Sequence, residues 1–295
     1  MRQIQRGIYF EDSYLGVTLG GLVFSHGTIM IDAPLRIEDA RSWRSTLLNQ
    51  RGGSNRLLVN LDSHPDRTLG ARSLECAVVA HQKAANVFRS RPSIFKGQNM
   101  EMGALWEEYD DAVGLRWANP DITFSDTLSL HWGGPEIILE SHPGPAIGAI
   151  WTRIPEEKVV FIGDAVVLDQ PPFLADVEFT AWLETLDHLE SAYHDYIIIC
   201  SRGGLITLEQ VQNQQAYLSK AQKLIQQYID TKDQLEAMAE LIPELLQGFT
   251  FPNRWREKYQ QRLRYGLYQY HSHHYGSPSP VEPPMAPEGE LSSDS

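Results

Sequence analysis

Four apolar runs in the first two-thirds of the chain each stop at a loop dense in charge or glycine, and this repetition constrains the fold more than any other feature. "RLLVNL" (56–61) gives way to Asp62-Ser63-His64-Pro65-Asp66-Arg67, and "EIILES" (136–141) runs into "SHPGPAIG" (141–148). "KVVFIGDAVV" (158–167) contains Gly163-Asp164, and "YIIIC" (196–200) ends at Ser201-Arg202-Gly203-Gly204. Further strand-like runs are "GVTLGGLVFS" (16–25), "TIMIDAP" (28–34), "CAVVA" (76–80) and "AIGAIWTRI" (146–154). Val, Ile and Leu dominate them, and Gly, Pro, Asn or Asp bound them. Between them, "IEDARSWRSTLLN" (37–49) and "EFTAWLETLDHLESAY" (178–193) carry apolar residues at helical spacing. The pattern predicts a layered α/β domain, a class in which ligands gather where strands end. An Asp directly after an apolar strand also requires a partner for its charge.

Composition narrows the function classes. A chain of 295 residues, 42% hydrophobic, can bury a sizeable core. No apolar run reaches the ~18 residues of a membrane helix, and "MRQIQRGIYF" lacks the apolar stretch of a secretory signal. Only Cys76 and Cys200 are present, so neither a disulfide framework nor a Cys-based zinc motif is available, and the default compartment is the cytoplasm. The net charge of −13 argues against a general nucleic-acid binder.

From Thr207 onward the pattern turns helical. "TLEQ" (207–210) and "TKDQ" (231–234) both fit a capping box and predict helix starts. The segment 251–276 interleaves Arg254, Arg256, Lys258, Arg262 and Arg264 with Trp255, Tyr259, Tyr265 and Tyr268. It reads as a helix packing its aromatics inward with its basic groups outward; a docking surface for an anion or a partner is the alternative. The last residues, 276–295, are rich in Pro, Ser and Glu and read as a disordered tail. The expected organisation is an α/β domain over 1–206, a helical region packed on it over 207–275, and the tail over 276–295.

An apolar strand, then D-S-H-P-D-R, then P-G-P-A-I-G, then F-I-G-D, then I-I-C-S-R-G-G resembles the metallo-β-lactamase superfamily, including its glyoxalase II-like hydrolases. "TIMIDAP" resembles the family's early strand ending in Asp, and "NPDITFSDTLSLHWGG" (119–134) resembles its middle hairpin. The resemblance covers roughly residues 8 to 206 and implies a four-layer αββα sandwich with the metal site at one edge between the sheets, here followed by a C-terminal helical extension. The family's metal loop reads His-x-His-x-Asp-His. Its first His falls on Asp62, its second is retained as His64, its Asp as Asp66, and its last His is replaced by Arg67. The Pro-Gly-His ligand falls on Pro145, the bridging Asp is retained as Asp164, and the family's final His is replaced by Arg202.

Proline offers no ligand atom, and a guanidinium stays protonated and carries donors only. The residues that remain imply at most one divalent ion, held by Asp62, His64 and Asp164. Its oxygen-rich donors would suit Zn, Mn or Fe, and a site with no metal stays open. Two readings follow. In one, Arg67 and Arg202 replace the second metal with fixed organic charge, giving a non-catalytic or ligand-binding member. In the other, one metal activates water against an ester, thioester or phosphoester, with Asp66, Arg67 and Arg202 completing the catalytic set and an arginine gripping an anionic group. A small anionic ligand or substrate is expected in both, with no membrane and no nucleic-acid partner. The C-terminal helices offer a surface for a homodimer. Cys200 reads as a buried strand cysteine rather than a reactive thiolate.

Overall fold

The computed structural model describes residues 1–97, 102–109, 112–232 and 235–275. Two sheets stand face to face. The first runs in the order β1 (Arg2–Gln5), β2 (Ile8–Glu11), β3 (Leu19–Val23), β4 (Gly27–Ile31), β5 (Asn55–Val59), β6 (Ala77–His81) and β7 (Ile122–Phe124). It is antiparallel from β1 to β4 and parallel from β4 to β7. The second contains β8 (Thr127–Leu130), β9 (Ile137–Ser141), β10 (Ile150–Ile154), β11 (Val159–Phe161), β12 (Ile197–Cys200) and β13 (Gly204–Ile206), hydrogen-bonded in sequence order. Its pairs are antiparallel except β11 with β12.

The helices are α1 (Ile37–Leu48), α2 (Pro65–Thr68), α3 (Gln82–Ser90), α4 (Phe179–Ala192), α5 (Leu208–Lys232), α6 (Ile242–Leu245) and α7 (Arg256–His274). Phe10, Leu22, Ile31 and Val59 of the first sheet meet Leu139, Ile150, Phe161 and Ile199 of the second in the central core. On the outer face of the first sheet, Met30, Leu58 and Val78 pack on Trp43 and Leu47 of α1. On the outer face of the second, Trp151, Val160 and Ile198 pack with Trp182 and Leu186 of α4, Val211 and Leu218 of α5, and Leu263 of α7. The result is the αββα sandwich expected from the sequence. Strands buried on both faces carry uninterrupted apolar runs, which is why those runs were so legible.

Two local expectations are corrected. The segment 119–134 is not a hairpin within one sheet: β7 pairs with β6 in the first sheet and β8 with β9 in the second, so the chain crosses the sandwich at Ser125-Asp126. Ser125 is held there through its carbonyl oxygen, 2.6 Å from Nε2 of His81. Half of the capping box at Thr207 forms: the Thr207 N–H donates to Oε1 of Gln210 at 2.8 Å, while the Gln210 N–H goes to the Thr207 carbonyl and not to its hydroxyl. The second, at Thr231, falls inside α5, whose apolar stripe of Val211, Leu218, Ala221 and Ile225 keeps one continuous helix packed on the core. Asp233 and Gln234 of that motif, and the expected tail at 276–295, lie outside the described residues.

Candidate functional site

The loops after β4, β5, β11 and β12 converge at one edge of the sandwich, and six charged side chains meet there. Asp32 follows β4 in a left-handed backbone conformation (φ +58°), which Asp tolerates better than most residues. Its Oδ1 accepts the Leu61 N–H at 2.9 Å, and its Oδ2 accepts the Ser201 hydroxyl at 3.2 Å. After β5, Oδ1 of Asp62 accepts the His64 N–H at 2.7 Å in a local turn that starts α2 with Pro65 at its first position. This short helix turns Asp66 and Arg67 inward, and both are fully buried. After β11, Gly163 at φ +62° bends the backbone as only glycine does without strain and delivers Asp164 to the same point.

Arg67 lies at the centre. Its Nη1 stands 3.2 Å from Asp62 and 3.6 Å from Asp32, and its Nη2 is in close contact with Oδ1 of Asp164. These are ion pairs rather than aligned hydrogen bonds. Arg202 is better fitted. Its Nε donates to Asp164 at 3.0 Å, Nη1 to the Gly16 carbonyl at 3.1 Å and to Asp66 at 3.2 Å, and Nη2 lies 3.3 Å from Nδ1 of His64. Asp66 also accepts the backbone N–H of Trp106 at 2.9 Å. Phe173 covers the assembly, with its ring 4.3 Å from that of His64 and the Arg202 guanidinium 5.0 Å above it.

The charges divide in a definite way. Burial pushes Asp32 up to about 7, with Arg67 opposing and Asp62 adding to the rise. Burial likewise raises Asp62 against the pull of Arg67. For Asp66 and Asp164 burial also works upward, but the nearby guanidinium groups outweigh it and hold both below the usual carboxylate range. Arg67 stays charged because Asp164, Asp62 and Asp32 more than offset its burial. His64 is pushed down to about 3 by burial and by Arg202, so it is neutral. Asp32 joins the cluster as a fourth carboxylate, and burial favours its protonated form.

The arrangement does not fit a metal centre. Each side chain that would supply a ligand already faces a guanidinium: Asp62 faces Arg67, Asp164 faces Arg67 and Arg202, and His64 faces Arg202. Among the described residues no group of three or more His, Cys, Asp or Glu side chains is placed to hold an ion. An ion seated between Asp62, His64 and Asp164 would have to expel two buried cations first. Pro145 is buried in the β9–β10 loop, while His142 stacks on Trp151 at 3.6 Å, beside Glu140 and away from the cluster.

No family model and no curated protein matches the sequence. The fold has many counterparts among solved structures. A metallo-β-lactamase family protein from Thermus thermophilus superposes with a TM-score of 0.62 over 88% of this chain and 93% of its own, at 19% identity. A metallo-β-lactamase from Pontibacter korlensis gives 0.55 over 74% and 97%, at 15% identity. The chain has the metallo-β-lactamase fold. A stereoselective inverting sec-alkylsulfatase from Pseudomonas sp. gives 0.60, covering 93% of this chain but 50% of the sulfatase, at 15% identity. In this fold the cluster occupies the strand-end edge that the sequence resemblance assigned to metals.

Several contributors escaped the sequence reading. Asp32 was noted only as the end of a strand, and Phe173 and the Trp106 amide come from stretches without periodicity. Arg262 is the largest departure from expectation. It does not face outward but is fully buried, donating from Nε to the Gly103 carbonyl at 3.0 Å and from Nη1 to Gln170 at 2.8 Å and the Pro171 carbonyl at 2.9 Å. Its guanidinium lies 4.0 Å from the Phe173 ring centre, so α7 holds down the residue that covers the cluster. Lys258, one turn earlier, pairs with Glu108 at 2.7 Å. Cys200 is buried and its thiol is pushed up to about 12, which leaves it unreactive as the sequence suggested. Among the described residues no helix is long and apolar enough to cross a membrane.

Proposed function

We propose that this protein is a divergent, non-catalytic or ligand-binding member of its fold class, in which Arg67 and Arg202 take the place of bound metal. The observation that carries this reading is the closed pairing of Arg67 and Arg202 with Asp62, Asp66 and Asp164, all within a few per cent of full burial. Buried carboxylates require cations; Arg202 meets that need with directional donors to Asp66 and Asp164, and Arg67 with close ion pairs to Asp62 and Asp164. Asp66, Arg67 and Arg202, the residues expected to complete a catalytic set, are buried and each engaged in ion pairs within the cluster: Asp66 with Arg202, Arg67 with Asp32, Asp62 and Asp164. The single-metal hydrolase has no comparable support, since its three ligands would each have to give up an arginine.

A hydrolysis panel tests the reading. Ester, thioester and phosphoester substrates are offered to the protein with chelator and with added Zn, Mn or Fe. No turnover above background is expected under any condition. Metal-stimulated turnover that disappears in Asp164→Ala would overturn the proposal.

A further inference from the structure

A separate cavity lies on the outer side of α2, behind Pro65. It holds about 170 Å³ and is lined by Arg91, Phe95, Met102, Trp106 and Trp117 among others. Phe95 meets Trp106 and Trp117 edge-on, at centroid distances of 4.7 Å and 5.5 Å. The Arg91 guanidinium sits 4.5 Å over the Trp117 ring, and exposed Lys96 adds a second positive charge. Backbone bonds from Phe95 to Leu115 and from Gly114 back to Phe95, each 2.7 Å, hold the wall in place.

The polar atoms of this cavity are one-sided. Trp106 and Trp117 are 5% and 7% exposed, and both indole N–H groups are buried without a hydrogen-bond partner. Nη1 of Arg91 is buried and unpartnered as well. Among the described residues no side chain lining the cavity carries an oxygen, and the carboxylates that act on Arg91 through space, Asp62 and Asp176, give its Nη1 no hydrogen bond. Buried donors normally find an acceptor, and those left without one mark a place where something else supplies it. The missing partner must bring acceptor oxygens and negative charge at one end and apolar surface elsewhere. A cavity of ~150 Å³ accepts a benzene ring, which sets the size.

We propose that this cavity binds a small aromatic carboxylate, its ring enclosed by Phe95, Trp106 and Trp117 and its carboxylate taken by Nη1 of Arg91 and an indole N–H. Guanidinium and carboxylate match in charge and in planar geometry. With Lys96 exposed, the Arg91 guanidinium is the one partly buried cation among the described lining residues, which suits a monoanion better than a dianionic phosphate. The inference goes beyond the reading of the ion-pair cluster and stands apart from it: metal content and turnover bear on the cluster, and ligand titration bears on this cavity.

The test is a titration of the full chain with benzoate, followed by calorimetry and tryptophan emission, with benzamide as a neutral molecule of the same shape. Benzoate is expected to saturate a single site and to bind roughly tenfold or more tightly than benzamide, the margin of a charge-assisted bond. Arg91→Leu is expected to remove that margin and leave benzamide binding unchanged, while Arg91→Lys retains part of it. Trp117→Phe, which keeps a ring but deletes a donor, should weaken benzoate more than benzamide. The proposal is overturned if benzoate shows no saturable signal up to roughly 10 mM, or if it binds no better than benzamide to the unaltered protein.

Discussion

Arg202 and Asp66 are separated by 136 residues of chain and by 3.2 Å in space, with neither side chain reaching solvent. Asp66 follows a strand of the first sheet and Arg202 a strand of the second, so the pair ties the two halves of the sandwich together at the edge where they part. Arg202→Ala leaves Asp66 and Asp164 buried with one cation fewer. A loss of about 3–5 kcal/mol in unfolding free energy is expected, measured by urea denaturation at neutral pH. A change below ~0.5 kcal/mol would mean that the pair adds no more than a surface contact.

Placing imidazoles at two positions tests the proposed replacement of metal by guanidinium. The variant Arg67→His with Arg202→His frees the oxygens of Asp62, Asp66 and Asp164 and adds two nitrogen donors. Zinc is expected to raise its melting temperature, as binding to the folded state alone requires, and to leave the parent unchanged. A parent that responds to zinc as strongly as the variant would show that the arginines do not exclude the ion.

The cluster gives stability a pH dependence of mixed sign. Asp32 has a folded pKa of about 7, well above the ~3.9 of an unfolded Asp. Its contribution is fully present below the unfolded value and is lost as pH rises through 7. His64 has a folded pKa of about 3 against ~6.5 unfolded, so holding it neutral lowers stability progressively as pH falls from 6.5 toward 3. Asp66 and Asp164, held low, add further loss at the acid end. In His64→Gln the imidazole's share disappears. The variant should gain on the parent by roughly 2–3 kcal/mol between pH 7 and pH 4, read from denaturation curves at each pH. A difference that stays flat with pH would contradict the assignment.

Arg262→Met tests the anchor of α7. The substitution keeps the unbranched apolar stem of the side chain but leaves the Gly103 and Pro171 carbonyls without their donor. A loss of about 2–4 kcal/mol is expected, with faster amide exchange in α7. Unchanged exchange in that helix would show that its apolar stripe alone holds it.

The strand-end loops were legible because long Val, Ile and Leu runs break sharply into charge, and because the resemblance could be followed residue by residue along the chain. The identity of the fourth carboxylate was not. An Asp after a strand looks the same in sequence whether it caps a turn or enters a cluster, and the left-handed backbone of Asp32 appears only in three dimensions. Arg262 left a trace that charge obscured. It lies beside Leu263, between Tyr259 and Gly266, on the stripe that buries Leu267, so its position on the helix was apolar although its type was not. The cover from Phe173 depends on contacts across about a hundred residues, which no local pattern records.

The central claim is that guanidinium groups stand where metal would. Elemental analysis of protein purified without added metal, paired with its melting temperature in chelator, tests it most directly. The expected result is well under one Zn, Mn or Fe ion per chain and a melting temperature unmoved by chelator. About one ion per chain, lost together with stability in Asp62→Ala or His64→Ala, would contradict it.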